Sequence, residues 1–220
     1  MRRKNLRPKS LVGKFAPGIA ASALAAAAAQ ASIDFTSLPG LEGWGSFIGS
    51  MDWSYSGAGS GAGILTVTLS NTSPLANGGY LTGFAFNTTG SGLTASLQSG
   101  LSGWQGMSNV SASPYENFDF GAAVGGSWLG GGNPNPGIAA GDSASFSFEF
   151  TGDDSLLSSL SAASFFDGSS GEAFAARFRG FANGASDKAT GELLVTPVPM
   201  PLALAGLGVL SLALLRRRVG

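Results

Sequence analysis

Two of the side chains that most often perform chemistry are missing: the 220 residues include no histidine and no cysteine. That removes Ser-His-Asp triads, Cys-His pairs and zinc sites built on His or Cys ligands. It also removes any disulfide framework. No Gly-x-Ser-x-Gly elbow occurs, and the glycine runs lack the lysine that follows in a phosphate-binding loop. Carboxylates remain, with one lysine, Lys188, between residues 32 and 196. Glycoside hydrolysis needs two carboxyl groups roughly 5–9.5 Å apart across a cleft. Glu116/Asp119 and Glu149/Glu172 are the pairs to inspect, although acids on a polar strand face also serve simply as soluble surface. Lys188, beside Asp187 and shortly after Asn183-Gly184, would need desolvation to act in a Ser-Lys dyad; a solvated loop lysine is expected instead. Asp153 and Asp154 offer oxygens to Ca²⁺, but acids at a helix start equally answer the helix dipole. No catalytic residue and no cofactor is expected, and the chain reads as non-enzymatic.

Four tryptophans, Trp44, Trp53, Trp104 and Trp128, are the candidates for binding. Trp104 and Trp128 lie in Gly/Ser-rich surroundings, where a flat ring with a polar edge suits contact with a glycan. The competing expectation, favoured because Trp is highly buried on average, is that the rings plug the ends of a β-sandwich. Asn71-Thr72-Ser73, Asn87-Thr88-Thr89 and Asn109-Val110-Ser111 match the N-glycosylation pattern, as expected by chance where Asn and Thr abound.

The elements that must position these residues read as strands. Phe146, Phe148 and Phe150 alternate with polar residues in 143–151, and strand side chains alternate between faces. Leu65, Val67 and Leu69 do the same in 64–70. Tyr80, Phe84 and Phe86 are expected on one face of 80–87, and Phe118 with Phe120 in 117–122. Phe174, Ala176 and Phe178 point inward in 172–181, with Arg177 and Arg179 outward. Segments 93–98, 164–166 and 192–195 read as weaker strands. Turn clusters such as Asn77-Gly78-Gly79 and Asn183-Gly184 separate the runs. Asp153-Asp154-Ser155, followed by Leu156, Leu157 and Leu160, reads as one capped short helix closing an end. The fold class is all-β: an antiparallel, jelly-roll-like β-sandwich with a single short helix.

Charge is segregated along the chain. Twelve Lys and Arg nearly balance 13 Asp and Glu overall. Six of the basic residues precede Ser32 and three are Arg216, Arg217 and Arg218, so residues 32–196 are left near −10. A basic nucleic-acid footprint is absent, and no nucleic-acid partner is expected. The first 31 residues have a cationic start and an Ala-rich apolar run over 16–29. Ala29-Gln30-Ala31 then reads as a cleavage site before Ser32, the order of a secretory signal peptide. Arg2-Arg3 leaves Sec and twin-arginine export both open. Residues 32–196 then form the exported domain.

Residues 197–220 repeat the logic of a membrane address. Pro197 to Leu215 carries no charge over 19 residues, enough to cross a hydrocarbon layer of about 30 Å. Arg216–Arg218 would hold its end on the cytoplasmic side. Pro197-Val198-Pro199, the Leu/Ala/Gly stretch 202–215 and the Arg triplet together resemble the PEP-CTERM sorting signal of Gram-negative bacteria. Val198 stands where the usual glutamate would be. The resemblance implies export, an inner-membrane-anchored intermediate, processing by an exosortase-type enzyme, and a final place at the cell surface or in an exopolysaccharide matrix. The alternatives for the body are a carbohydrate-binding module using exposed Trp and, third, a glycoside hydrolase.

Overall fold

A computed structural model describes residues 32–57 and 59–194. The expected signal peptide (with Ala29 and Ala31), the sorting motif Pro197-Val198-Pro199 and the anchor charges Arg216–Arg218 lie outside the described residues. Among the described residues, no helix is long and apolar enough to cross a membrane.

The regular structure of the described residues is mostly antiparallel strand: β1 (Ile33–Ser37), β2 (Phe47–Tyr55), β3 (Ala62–Asn71), β4 (Gly78–Phe86), β5 (Thr94–Ser99), β6 (Trp104–Ser111), β7 (Asn117–Val124), β8 (Ile138–Ala139), β9 (Ser143–Thr151), β10 (Phe174–Phe181) and β11 (Ser186–Leu193). The all-β expectation holds. The strands join in one continuous order, β5-β9-β3-β2-β1-β11-β10-β4-β7-β6, with β8 paired to β4. Two facing halves are thus continuous through the β1–β11 pairing, which differs from a sandwich of two separate sheets. The sheet curls over its own inner face. Phe84 on β4 packs 5.0 Å from Phe146 and 6.0 Å from Phe148 on β9, a strand far from β4 in the order. Aromatic rings fill this interior because alternate residues of each strand must leave water together.

Period-two reading holds where the ladder is regular. Phe146, Phe148, Phe150, Leu65, Val67, Leu69, Phe174, Ala176 and Phe178 all join the main core. It fails where the ladder shifts. Arg177 pairs with Gly83 but Phe178 with Leu81, so Thr82 is extra on β4. That bulge exchanges the faces. Leu81 enters the core beside Phe84 and Phe86, and Tyr80, expected with them, stays half-exposed. Phe118 and Phe120 part company too. Phe120 joins the main core, whereas Phe118 joins a second cluster with Val110, Trp128, Ala85 and Ala175. Opposite the step between them lies Asn109, held at φ 51°.

The segment expected as a strand at 164–166 is instead part of a 3-10 helix, Ala162–Phe165, whose Phe165 is buried. Ser161 and Ser164 cap each other there, a local pairing that competes with extended backbone. Of the weak strand expected at 192–195, Glu192 and Leu193 end the longer β11, Leu194 lies past it, and Val195 is outside the described residues. The short helix α1 (Asp154–Ser159) forms where expected and buries Leu157. Leu160 follows it into the core.

Candidate functional site

The two tryptophans singled out as glycan contacts are not platforms. Trp104 is 7% exposed and Trp128 4%. Trp104 opens β6 with its ring 4.6 Å from Phe146, and its Nε1–H donates to the Pro136 carbonyl at 2.9 Å. Trp128 sits in the second cluster, and its carbonyl accepts from Arg177 Nη1. Arg179 Nη2 donates to the Gly132 carbonyl at 2.7 Å. These contacts all fasten the loop between β7 and β8. Burial holds the Arg177 guanidinium below its usual value, and the neighbouring positive charge of Arg179 adds to this.

The carboxylates are also employed. Asp154 Oδ1 accepts from the Tyr55 hydroxyl at 2.6 Å and from Gly61 N–H at 3.2 Å, and its Oδ2 from Gly59 N–H at 2.6 Å. It is a clamp for the glycine-rich turn between β2 and β3. The Tyr55 bond, then the Gly59 amide, holds the Asp154 carboxyl below its ordinary value; the same hydrogen bond raises Tyr55. Asp153 is the helix N-cap but makes no side-chain cap bond. Among the described residues, no group of three acids could hold a metal, so the Asp153/Asp154 Ca²⁺ reading gains no partner ligands.

Asp119 Oδ2 accepts from Thr88 N–H at 2.9 Å, while the Glu116 carboxylate lies toward Gly171. Glu149 sits mid-ladder on β9 opposite Ile64 and Ser96. Lys188 is on β11 rather than in a loop, paired with Arg177.

Sequence reasoning missed the most heavily used carboxylate. Asp187 is 2% exposed. Its Oδ1 accepts from Glu42 N–H at 2.9 Å and Lys188 N–H at 2.7 Å; its Oδ2 accepts from Trp44 N–H at 2.8 Å and Gly45 N–H at 2.9 Å. A Cβ on Gly40 would stand 2.3 Å from Oδ2, so only glycine lets the loop close over the carboxylate. Four donors satisfy a buried charge, as burial requires. The arrangement pins residues 40–45 to the β10–β11 hairpin and leaves no lone pair aimed at solvent chemistry.

Open space lies elsewhere, at the seam where the ends of the sheet meet. β5 and β6 approach without pairing, and a Cβ on Gly106 would be 3.0 Å from Leu97 Cβ. Beyond that point the strands diverge around a cleft of about 330 Å³. Leu93, Ala95 and Phe120 give it apolar surface; Ser91, Ser108, Asn109 and Asp119 give it polar groups. A second hollow of about 400 Å³ shares Ser108 and Asn109 and continues to Met107, Trp128 and Leu129. Neither is lined by a lysine or arginine.

Compared with family models, curated proteins and solved structures, the chain finds no match.

Proposed function

We propose that this is an exported, non-enzymatic protein of the cell surface or exopolysaccharide matrix. Its C-terminal sorting signal retains it at the inner membrane and is then processed by an exosortase-type enzyme. The observation that carries the reading is the order of residue types over 195–220: Pro197-Val198-Pro199, an uncharged run to Leu215, then Arg216–Arg218. Two features are consistent with it. The basic residues gather at the two ends while residues 32–196 stay near −10, a charge that keeps an exported body soluble. The body, a curled, sandwich-like module, uses its buried carboxylate Asp187 and the Trp104 indole to hold loops.

Fractionating producing cells tests the reading. The full chain should reach the surface fraction, and a chain ending at Thr196 should be exported without staying there. Equal surface association of the two would contradict the proposal.

A further inference from the structure

The two hollows flanking β6 form one track, and we infer that it binds a neutral glycan chain across the free edge of that strand. The inference rests on the proposed surface role only for where such a polymer would be met; the track itself stands on geometry. Each hollow is at the lower end of the roughly 300–1,000 Å³ typical of small-ligand sites. Each combines apolar and polar surface. Leu93 and Ala95, both half-buried, suit the C–H face of a sugar ring, while Ser91, Ser108, Asn109 and Asp119 suit its hydroxyls. Asp119 is pre-positioned for this. Its N–H donates to Asn87 Oδ1 at 3.0 Å and its Oδ2 accepts from Thr88 N–H at 2.9 Å. Its Oδ1 has no partner among the described residues and can accept from a hydroxyl.

Asn109 links the two hollows, and it favours a glycan over a peptide strand. It is the non-glycine residue held at positive φ among the described residues, at 51°. That conformation breaks the extended run of a free edge, so a peptide strand could not pair along β6 without interruption. It leaves the amide, a donor and an acceptor together, exposed between the hollows. Its sequence companions in the Asn-x-Ser/Thr pattern are committed to the fold: Asn71 Nδ2 donates to Ile138 O at 2.8 Å and Asn87 Nδ2 to Glu172 O at 2.9 Å. Charge narrows the class of glycan. With no cation lining the track and a body near −10, phosphorylated or uronic polymers meet repulsion.

Affinity electrophoresis tests the assignment, using the mature protein recovered from its producing cell and gels containing a β-glucan, an α-mannan or a polyuronate. At least one neutral polymer should retard the protein, with little change up to about 0.5 M salt, because screening acts on exposed charges. Asn109→Gly suits the positive φ and removes the amide, and Asp119→Asn keeps the side chain's size. Each should weaken retardation at least tenfold with an unchanged melting midpoint. The assignment is overturned by retardation in the polyuronate alone, by no retardation in either neutral polymer, or by both variants binding normally. Correct sorting without neutral-glycan binding would sink this inference and leave the surface role standing.

Discussion

The outer faces of the two half-sheets are finished in opposite ways. Behind β4, β7 and β10 lies a second small core in which Ala85, Ala175, Val110 and Phe118 pack with Trp128. Arg177 and Arg179 clip the overlying loop to it. Behind β3 and β9 the face is bare and lined with short hydroxyls. Thr68 bonds Ser145 at 2.8 Å, Ser70 bonds Ser143 at 2.5 Å, and Thr94 on β5 bonds Thr151 at 2.6 Å. The inner faces of both halves are equally apolar. Strand burial on one side is thus common to the whole sheet, and only the 4-7-10 half is buried on both. That difference explains why long side chains such as Arg177 and Trp128 appear there and Ser and Thr opposite. It also places the open track at β6, the edge where covered and uncovered surfaces meet.

The largest effect should come from the layer the halves share. Phe148→Ala removes a ring that packs 5.6 Å from Phe86 and 6.0 Å from Phe84 across the interior. It should cost about 3–5 kcal/mol in denaturant unfolding, with both halves melting together. If tryptophan fluorescence and far-UV signals separated instead, the halves would be independent units. Next, Asp187→Ala strands backbone donors of residues 42, 44 and 45 in a buried site, and should cost about 2–3 kcal/mol; an unchanged midpoint would mean water replaces the carboxylate.

A smaller and more discriminating pair sets one outer face against the other. Arg177→Ala loses the hold on the Trp128 carbonyl and should cost about 1.5 kcal/mol, the low end for a charged hydrogen bond because the side chain is half exposed. Thr68→Ala on the bare face should stay within about 0.5 kcal/mol. Equal costs would erase the distinction between the faces.

The smallest effect is local and depends on pH. Asp154 has a lowered pKa in the fold, so its clamp is fully present above the ordinary carboxylate value near 3.8 and is lost only as pH falls through the lower folded value. Amide exchange at Gly59 and Gly61 should therefore stay protected at pH 4 and rise in stronger acid, with Asp154→Ala unprotected throughout. Loss of protection already near pH 6 would contradict the clamp.

Regular strands were legible in the sequence because apolar residues alternate without interruption, as in Phe146-x-Phe148-x-Phe150. β2 was not, because glycine at 49 breaks an otherwise correct alternation of Phe47, Met51 and Trp53. β1 is too short, and β6 too polar, to show a period. Tyr80 was misplaced because one extra residue, Thr82, reverses a face, and no composition signal announces a bulge. The Asp187 cradle draws three of its four donors from residues about 140 positions earlier, a relation that only the β1–β11 pairing creates. The track at β6 has the same origin, since residues 90–95 and 108–120 meet only when the sheet curls.

Intact-mass analysis of the surface form recovered from producing cells tests the central claim most directly. The account predicts a chain beginning at Ser32 and lacking Arg216, Arg217 and Arg218. A mass that still includes the arginine triplet would contradict processing and leave these residues as a permanent anchor.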